Sequence, residues 1–260
     1  MDFLPHYDKI RCAAFAEKIK RNTNDWQMIE VGVTGSLNAA HIAYKMCVHF
    51  KGKDGITLIC NRKTVLVLVS LGRNANLQVA AMTIQEKMPP QSCTVVASGL
   101  TGDGLARLQL HIHETCANEE NNRLSTQAER MERQEHVVMV VEDDMFIRSL
   151  IAKTLKPHAH IIELASAENV VDAYLEHLPD VVFLDIHLPG GSGLDALKEI
   201  LNFDGTAHIV ITTSDAAKEN VMNAVNSGAK GFIAKTFTPD KLLEAYNKCP
   251  TVAARAKKDG

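Results

Sequence analysis

The chain has 260 residues, 46% of them hydrophobic and 23% charged. That is enough length for two ordinary domains and too much apolar content for a disordered chain. A formal net charge of −3 gives no support to a nucleic-acid-binding face.

The cysteines Cys12, Cys47, Cys60, Cys93, Cys116 and Cys249 include no C-x-x-C pair. Neither a zinc site nor a disulfide framework is indicated, and free thiols in a reducing compartment are expected. The opening MDFLPHYDKIRCAAF lacks the basic flank and apolar run of a signal peptide. The most apolar run, Thr64 to Leu71, is too short to cross a bilayer. A cytoplasmic protein without a membrane partner is expected.

In chain order, Tyr7 to Arg21 reads as an amphipathic helix through Ile10, Ala14, Phe15 and Ile19. A strand (Met28 to Val33), a helix (Leu37 to Phe50) and two strands (Ile56 to Cys60, Val65 to Ser70) follow, the strands joined by a turn at Asn61-Arg62-Lys63. A helix from Ala75 to Met88, a strand from Thr94 to Ser98 and a helix from Gly104 to His113 complete this half. The order β-α-β-β-α-β-α predicts an α+β domain, its antiparallel sheet covered by helices on one face.

That order, with TGSLNAAHIAYKM, GITLICNRKTV and TVVASGLTGDG, resembles the histidine-containing phosphocarrier protein (HPr) family over about residues 26–115. In that family the phosphorylated histidine lies in a G-L-H-x-R-P-A stretch opening the first helix. With Ser36-Leu37 at the Gly-Leu, Asn38 takes the histidine's place, Ala40 the arginine's and His41 the proline's. An amide cannot accept phosphate as imidazole does, so the resemblance implies a fold that has lost its chemistry. His41 reads as a displaced acceptor or as an ordinary structural histidine. His111 and His113 point to different faces of a helix and do not make a metal site.

Residues 116–135 are polar and charged, with Leu124, Ala128 and Met131 on one narrow stripe. They predict a short helical linker starting at Asn121 or Ser125. It is either a solvated spacer or a helix that docks on one domain or pairs with a second copy.

Beyond the linker, HVVMVV, HIIEL, DVVFL, HIVITT and GFIA read as buried parallel strands. Helices are expected at Met145 to Leu155, Glu168 to His177, Leu194 to Asn202, Ala217 to Ser227 and Pro239 to Lys248. Ser166 could cap the second of these, Thr238-Pro239 opens the last, and Gly228 closes the fourth. The alternation predicts a doubly wound five-stranded parallel sheet over residues 136–249, leaving 1–115 as the first domain and 250–260 as a tail. Sites in such sheets form at the carboxyl ends of the strands. There the sequence places Glu142-Asp143-Asp144, Asp185, Thr212-Thr213-Ser214 and Lys235. Clustered carboxylates suit a hard cation, and a lysine with a hydroxyl suits phosphoryl oxygens.

VVEDDMFIRSLI, VVFLDIHLPGGSGLDAL, IVITTSDAAKEN and AKGFIAKTF together resemble the response-regulator receiver family, whose fold is flavodoxin-like. The resemblance implies that Asp185 is the phosphoacceptor. It implies that Glu142, Asp143, Asp185 and the His187 carbonyl hold Mg2+, with Thr213 and Lys235 contacting the phosphoryl group. Thr213 and Phe232 would be the switch residues, in a two-state equilibrium. Where the family has proline after the lysine, this chain has Thr236. A cis bond there costs about 2.5–4 kcal/mol, so both isomers stay open. Asp215 could influence the hydrolytic water or cap the following helix.

The resemblance implies a sensor histidine kinase or histidine phosphotransfer protein upstream. A downstream protein recognised by the N-terminal domain, a homodimer and no nucleic acid complete the expected partners. A receiver-gated ligand sensor or enzyme and an intermediate phosphate relay are the competing readings.

Overall fold

In the computed structural model the described residues are 2–4, 18–34, 37–108, 111, 125–214 and 218–256. They divide between Ser125 and Thr126 into two compact units.

The first unit comprises β1 (Asp2–Leu4), β2 (Trp26–Val33), α1 (Ala39–His49), β3 (Gly55–Asn61), β4 (Thr64–Ser70), α2 (Leu77–Lys87) and β5 (Cys93–Gly99), followed by helical residues 103–108. The sheet runs β1-β3-β4-β2-β5. It is antiparallel except that β1, not anticipated from the sequence, joins β3 in parallel.

Helices lie on both faces, not on one. Val65, Val67 and Val69 of β4 pack with Ile42, Met46 and Ile84, while Leu66 and Leu68 meet Ile19, Leu100 and Leu108 on the other side. The cause is in the strand itself: β4 is apolar at consecutive positions, so a single covering layer would leave half of its side chains in water.

Asn38 is the N-cap of α1, its side chain accepting from the His41 amide at 2.8 Å. His41 is buried. The expected turn forms at residues 62–63, with the Lys63 amide donating to Asn61 Oδ1 at 2.8 Å. His111 lies 3.3 Å from Glu30, which also pairs with Arg107. Ser36, His113, Asn121, Leu124, Asp215 and most of the expected first helix lie outside the described residues.

The second unit comprises α3 (Ser125–Glu132), β6 (Val137–Val141), α4 (Met145–Leu155), β7 (His160–Leu164), α5 (Val170–His177), β8 (Val181–Asp185), the short β9 (His187–Leu188) and β10 (Gly191–Ser192), α6 (Gly193–Phe203), β11 (Ile209–Thr213), α7 (Lys218–Asn226), β12 (Gly231–Ala234), α8 (Pro239–Asn247) and α9 (Pro250–Ala256). Its main sheet is all parallel, ordered β12-β11-β8-β6-β7, the doubly wound topology expected. Val138, Val140, Val181 and Phe183 pack with Ile151, Leu155, Leu242 and Tyr246 on one face. Met139, Val141, Val182 and Leu184 are equally buried on the other.

Helix α5 starts after Asn169, so Ser166 is not its cap. The preceding residues are held in a turn instead, where the Ala167 amide donates to the Pro189 carbonyl at 3.0 Å.

The segments expected as a linker and as a tail both pack on this unit, the linker as the docked helix that was one of its two readings. Helix α3, described over Ser125–Glu132, buries Thr126 and Arg130, while Ala128 and Met131 of the expected stripe are only half-buried. Its anchor is therefore polar. The Arg130 guanidinium donates to Asp204 Oδ2, to the Tyr174 hydroxyl and to the Leu178 carbonyl. Thr126 Oγ1 donates to Asp204 Oδ1 at 3.0 Å. The segment expected as a tail forms α9, with Val252 in the core and Thr251 Oγ1 donating to Asp180 Oδ1 at 2.6 Å. Arg255 of α9 donates to the Arg130 carbonyl. Among the described residues no helix is long and apolar enough to cross a membrane.

Candidate functional site

Strand order reverses at β6, between β7 and β8, and the carboxyl ends of β6 and β8 open the crevice where ligands bind in such sheets. Glu142 follows β6 and Asp185 closes β8. Both are buried, whereas Asp143 is exposed at the mouth. One carboxylate oxygen from each of Glu142, Asp143 and Asp185 lies within 4.8 Å of the others.

Lysine 235 enters from the end of β12. Its Nζ donates to Asp185 Oδ2 at 2.7 Å and to Glu142 Oε1 at 2.8 Å, and its amide donates to the Thr213 carbonyl at 2.8 Å. The Lys235–Thr236 peptide is cis, which resolves the two isomers left open by the sequence. Burial opposes the Lys235 charge, but Asp185 and Glu142 outweigh it and raise its pKa. Burial also raises the Glu142 pKa, and the lysine only partly offsets this.

The second Glu142 oxygen, Oε2, is buried without a hydrogen-bond partner. A buried carboxylate oxygen without a donor is costly, and beside two further acids it fits a hard divalent cation that accepts oxygen ligands. The set of donors is thus chemically suited to Mg2+.

The loops around the acids are held from both sides. Asp144 caps α4, accepting from the Phe146 and Ile147 amides at 2.8 and 3.1 Å. Arg148, one turn on, donates to the Glu142 and Asp143 carbonyls at 2.6 and 3.2 Å. Arg148 was not anticipated from the sequence, although its place one turn after the N-cap was a usable signal. Gly193, likewise missed, starts α6 against the acceptor strand. A Cβ there would lie 1.9 Å from the Asp185 carbonyl oxygen, so only glycine allows this approach. The G-G-S-G run after Pro189 carried that signal.

Of the remaining site residues, Thr213 is buried at the end of β11 and Phe232 is half-buried on β12. His187 is exposed, and its amide lies 3.4 Å from Asp185 Oδ1. All of them except Phe232, which lies mid-strand, sit at the same carboxyl edge. The neighbouring Thr212 hydroxyl is buried without a hydrogen-bond partner. The candidate residues in the first unit do not converge: Asn38 and His41 are occupied by the start of α1.

Comparison with known proteins gives this edge a context. The family described as "Response regulator receiver domain" matches residues 138–247. The chemotaxis protein CheY of Bacillus subtilis is 39% identical over 116 residues, covering 44% of this chain and 96% of that protein. The CheY of Halobacterium salinarum is 38% identical over 113 residues, 42% of this chain and 92% of that protein. A CheY-like receiver domain protein from Methanospirillum hungatei aligns with a TM-score of 0.42 and 21% identity, over 48% of this chain and 99% of that one. The family match falls within the second unit, and the first lies outside it.

Proposed function

Because the chain belongs to the response-regulator receiver family, we propose that it is a signalling protein switched by phosphorylation of Asp185, with output through proteins bound by the first unit. The observation that carries this reading is Lys235 Nζ bridging Asp185 and Glu142 beside a third carboxylate.

In the transfer, an Asp185 oxygen attacks the phosphorus of a phosphohistidine. The P–N bond breaks, its electron pair leaves with the imidazole, and an acyl phosphate forms on Asp185. Magnesium held by Glu142, Asp143, Asp185 and the His187 carbonyl would compensate the charge that builds up between carboxylate and phosphoryl group. Lys235, freed from the Asp185 carboxylate, follows the charge to the phosphoryl oxygens. Thr213 donates its hydroxyl to one of these oxygens, and Phe232 responds to the space this movement opens. Exposed Met145, Phe146 and Leu150 of α4, just after the acidic loop, provide an apolar landing for a histidine kinase or phosphotransfer partner.

Intact-protein mass spectrometry after incubation with acetyl phosphate and Mg2+ tests the proposal. A phosphoryl adduct on the native chain that is absent from Asp185→Asn supports it. An adduct that persists in the variant, or none with a cognate donor kinase either, overturns it.

A further inference from the structure

Strand β5 forms one edge of the first unit's sheet and, among the described residues, pairs only with β2. Its flanking hydrogen bonds fix which backbone groups point outward. The Ser92 carbonyl accepts from Thr34 and the Leu100 amide donates to Trp26, so residues 92 and 100 face β2. Alternation along the strand then turns Thr94, Val96 and Ser98 toward β2, and Cys93, Val95, Ala97 and Gly99 outward. The Cys93 carbonyl is taken by the Gln85 side chain at 2.8 Å. The outward groups of Val95 and Ala97 have no such cover among the described residues.

Beyond the Gln85 contact, the strand itself lacks the charge, proline and bulge that guard many edges against pairing. The sequence Cys-Thr-Val-Val-Ala-Ser-Gly has no charge and no proline, and its seven residues pair with β2 without a bulge. Val96 is 45% exposed. The elements on either side are also apolar at the surface. Met82 and Val79 of α2 precede Gln85 at spacings of three, on the flank turned toward β5, and Leu105 in helical residues 103–108 is exposed as well. Four of the five exposed large hydrophobics described in this unit therefore lie on β5 or on the helices that flank it.

We propose that β5 is the interface for a second copy of this chain, the two β5 strands pairing antiparallel about a two-fold axis at Val96. Self-pairing is favoured because the strand is complementary to itself. The axis sets Val95 opposite the partner's Ala97, so the outward amides and carbonyls of both residues satisfy one another. It sets Val96 opposite the partner's Val96 in a pair without hydrogen bonds, where side chains approach most closely. Thr94 falls opposite the partner's Ser98, so no like charges meet anywhere along the ladder. Exposed Val79 and Met82 of α2 add apolar surface beside the paired strands.

The test uses the full chain. Sedimentation should show a dimer for the native protein, and Val96→Lys should weaken it by at least about tenfold by opposing two like charges, with unchanged far-ultraviolet dichroism. Val96→Cys should give a covalent dimer on mild oxidation, since facing Cα atoms in such a pair lie about 4.5 Å apart. Thr94→Cys, displaced from the axis, should not cross-link above the native background. A monomeric native chain overturns the proposal. So does a dimer indifferent to Val96→Lys, or cross-linking equal at positions 94 and 96. A chain that binds another protein through this edge while remaining monomeric overturns it equally.

Discussion

Arg130 and Asp204 form a buried ion pair between α3 and the end of α6, their side chains 2% and 1% exposed. The carboxylate is fully engaged. Oδ2 also accepts from Tyr174 at 2.7 Å, and Oδ1 accepts from Thr126, the Thr206 amide and the Thr206 hydroxyl. Such a network holds well only when complete. Replacing Arg130 with Met keeps the packing volume but leaves Asp204 charged and buried. A loss of about 3–5 kcal/mol is expected, read as a lower denaturant midpoint for the second unit's transition.

The same carboxylate gives a pH dependence. Burial alone would raise its pKa, but Arg130, Thr206 and Tyr174 outweigh that and lower it. A depressed folded-state pKa contributes stability that is complete above the unfolded value of about 3.9 and lost as pH falls through the folded pKa. Asp204→Asn should therefore flatten the native protein's loss of stability below about pH 4, measured by dichroism during acid titration.

Cation binding should appear as thermal stabilisation. Magnesium at about 100 times its Kd is expected to add roughly 2.7 kcal/mol, and Asp143→Asn should remove most of the shift. Because burial raises the Glu142 pKa, protons compete for this site at a higher pH than at an ordinary glutamate. The magnesium-induced rise in Tm should accordingly shrink on acidification before the fold itself is lost.

Gly193→Ala tests the close approach of α6 to Asp185. The added methyl must displace the Asp185 carbonyl or the helix start. Overpacking of this kind costs about 1–3 kcal/mol, and acetyl phosphate should label the variant more slowly than the native chain.

In the second unit the strands were legible as short apolar runs, with β6, β8 and β11 rich in buried β-branched residues, and Asp185, Glu142 and Lys235 could be read from their places at the ends of such runs. For α3 the sequence left docking and a solvated spacer both open. Its buried residues, Thr126 and Arg130, are polar, and hydrophobic periodicity is blind to a helix anchored by an ion pair. Its acceptor, Asp204, lies 74 residues further along the chain. In the first unit the element order was readable, but the second helical layer was not. The consecutive apolar positions of β4 called for cover on both faces, but the element order does not say which segments supply it, and Ile19 and Leu108 are the ones that do.

Helices α3 and α9 lie outside the stretch matched by the family, yet they supply Arg130 to Asp204 and Thr251 to Asp180. A fragment cut at 138–247 would strand both aspartates, each otherwise buried, without these partners. For this chain the segment that can be excised or transplanted into a chimaera must run from about residue 125 to 256. Exchanging receivers at the family's own boundaries would transfer the phosphorylation edge while discarding what keeps its opposite end folded.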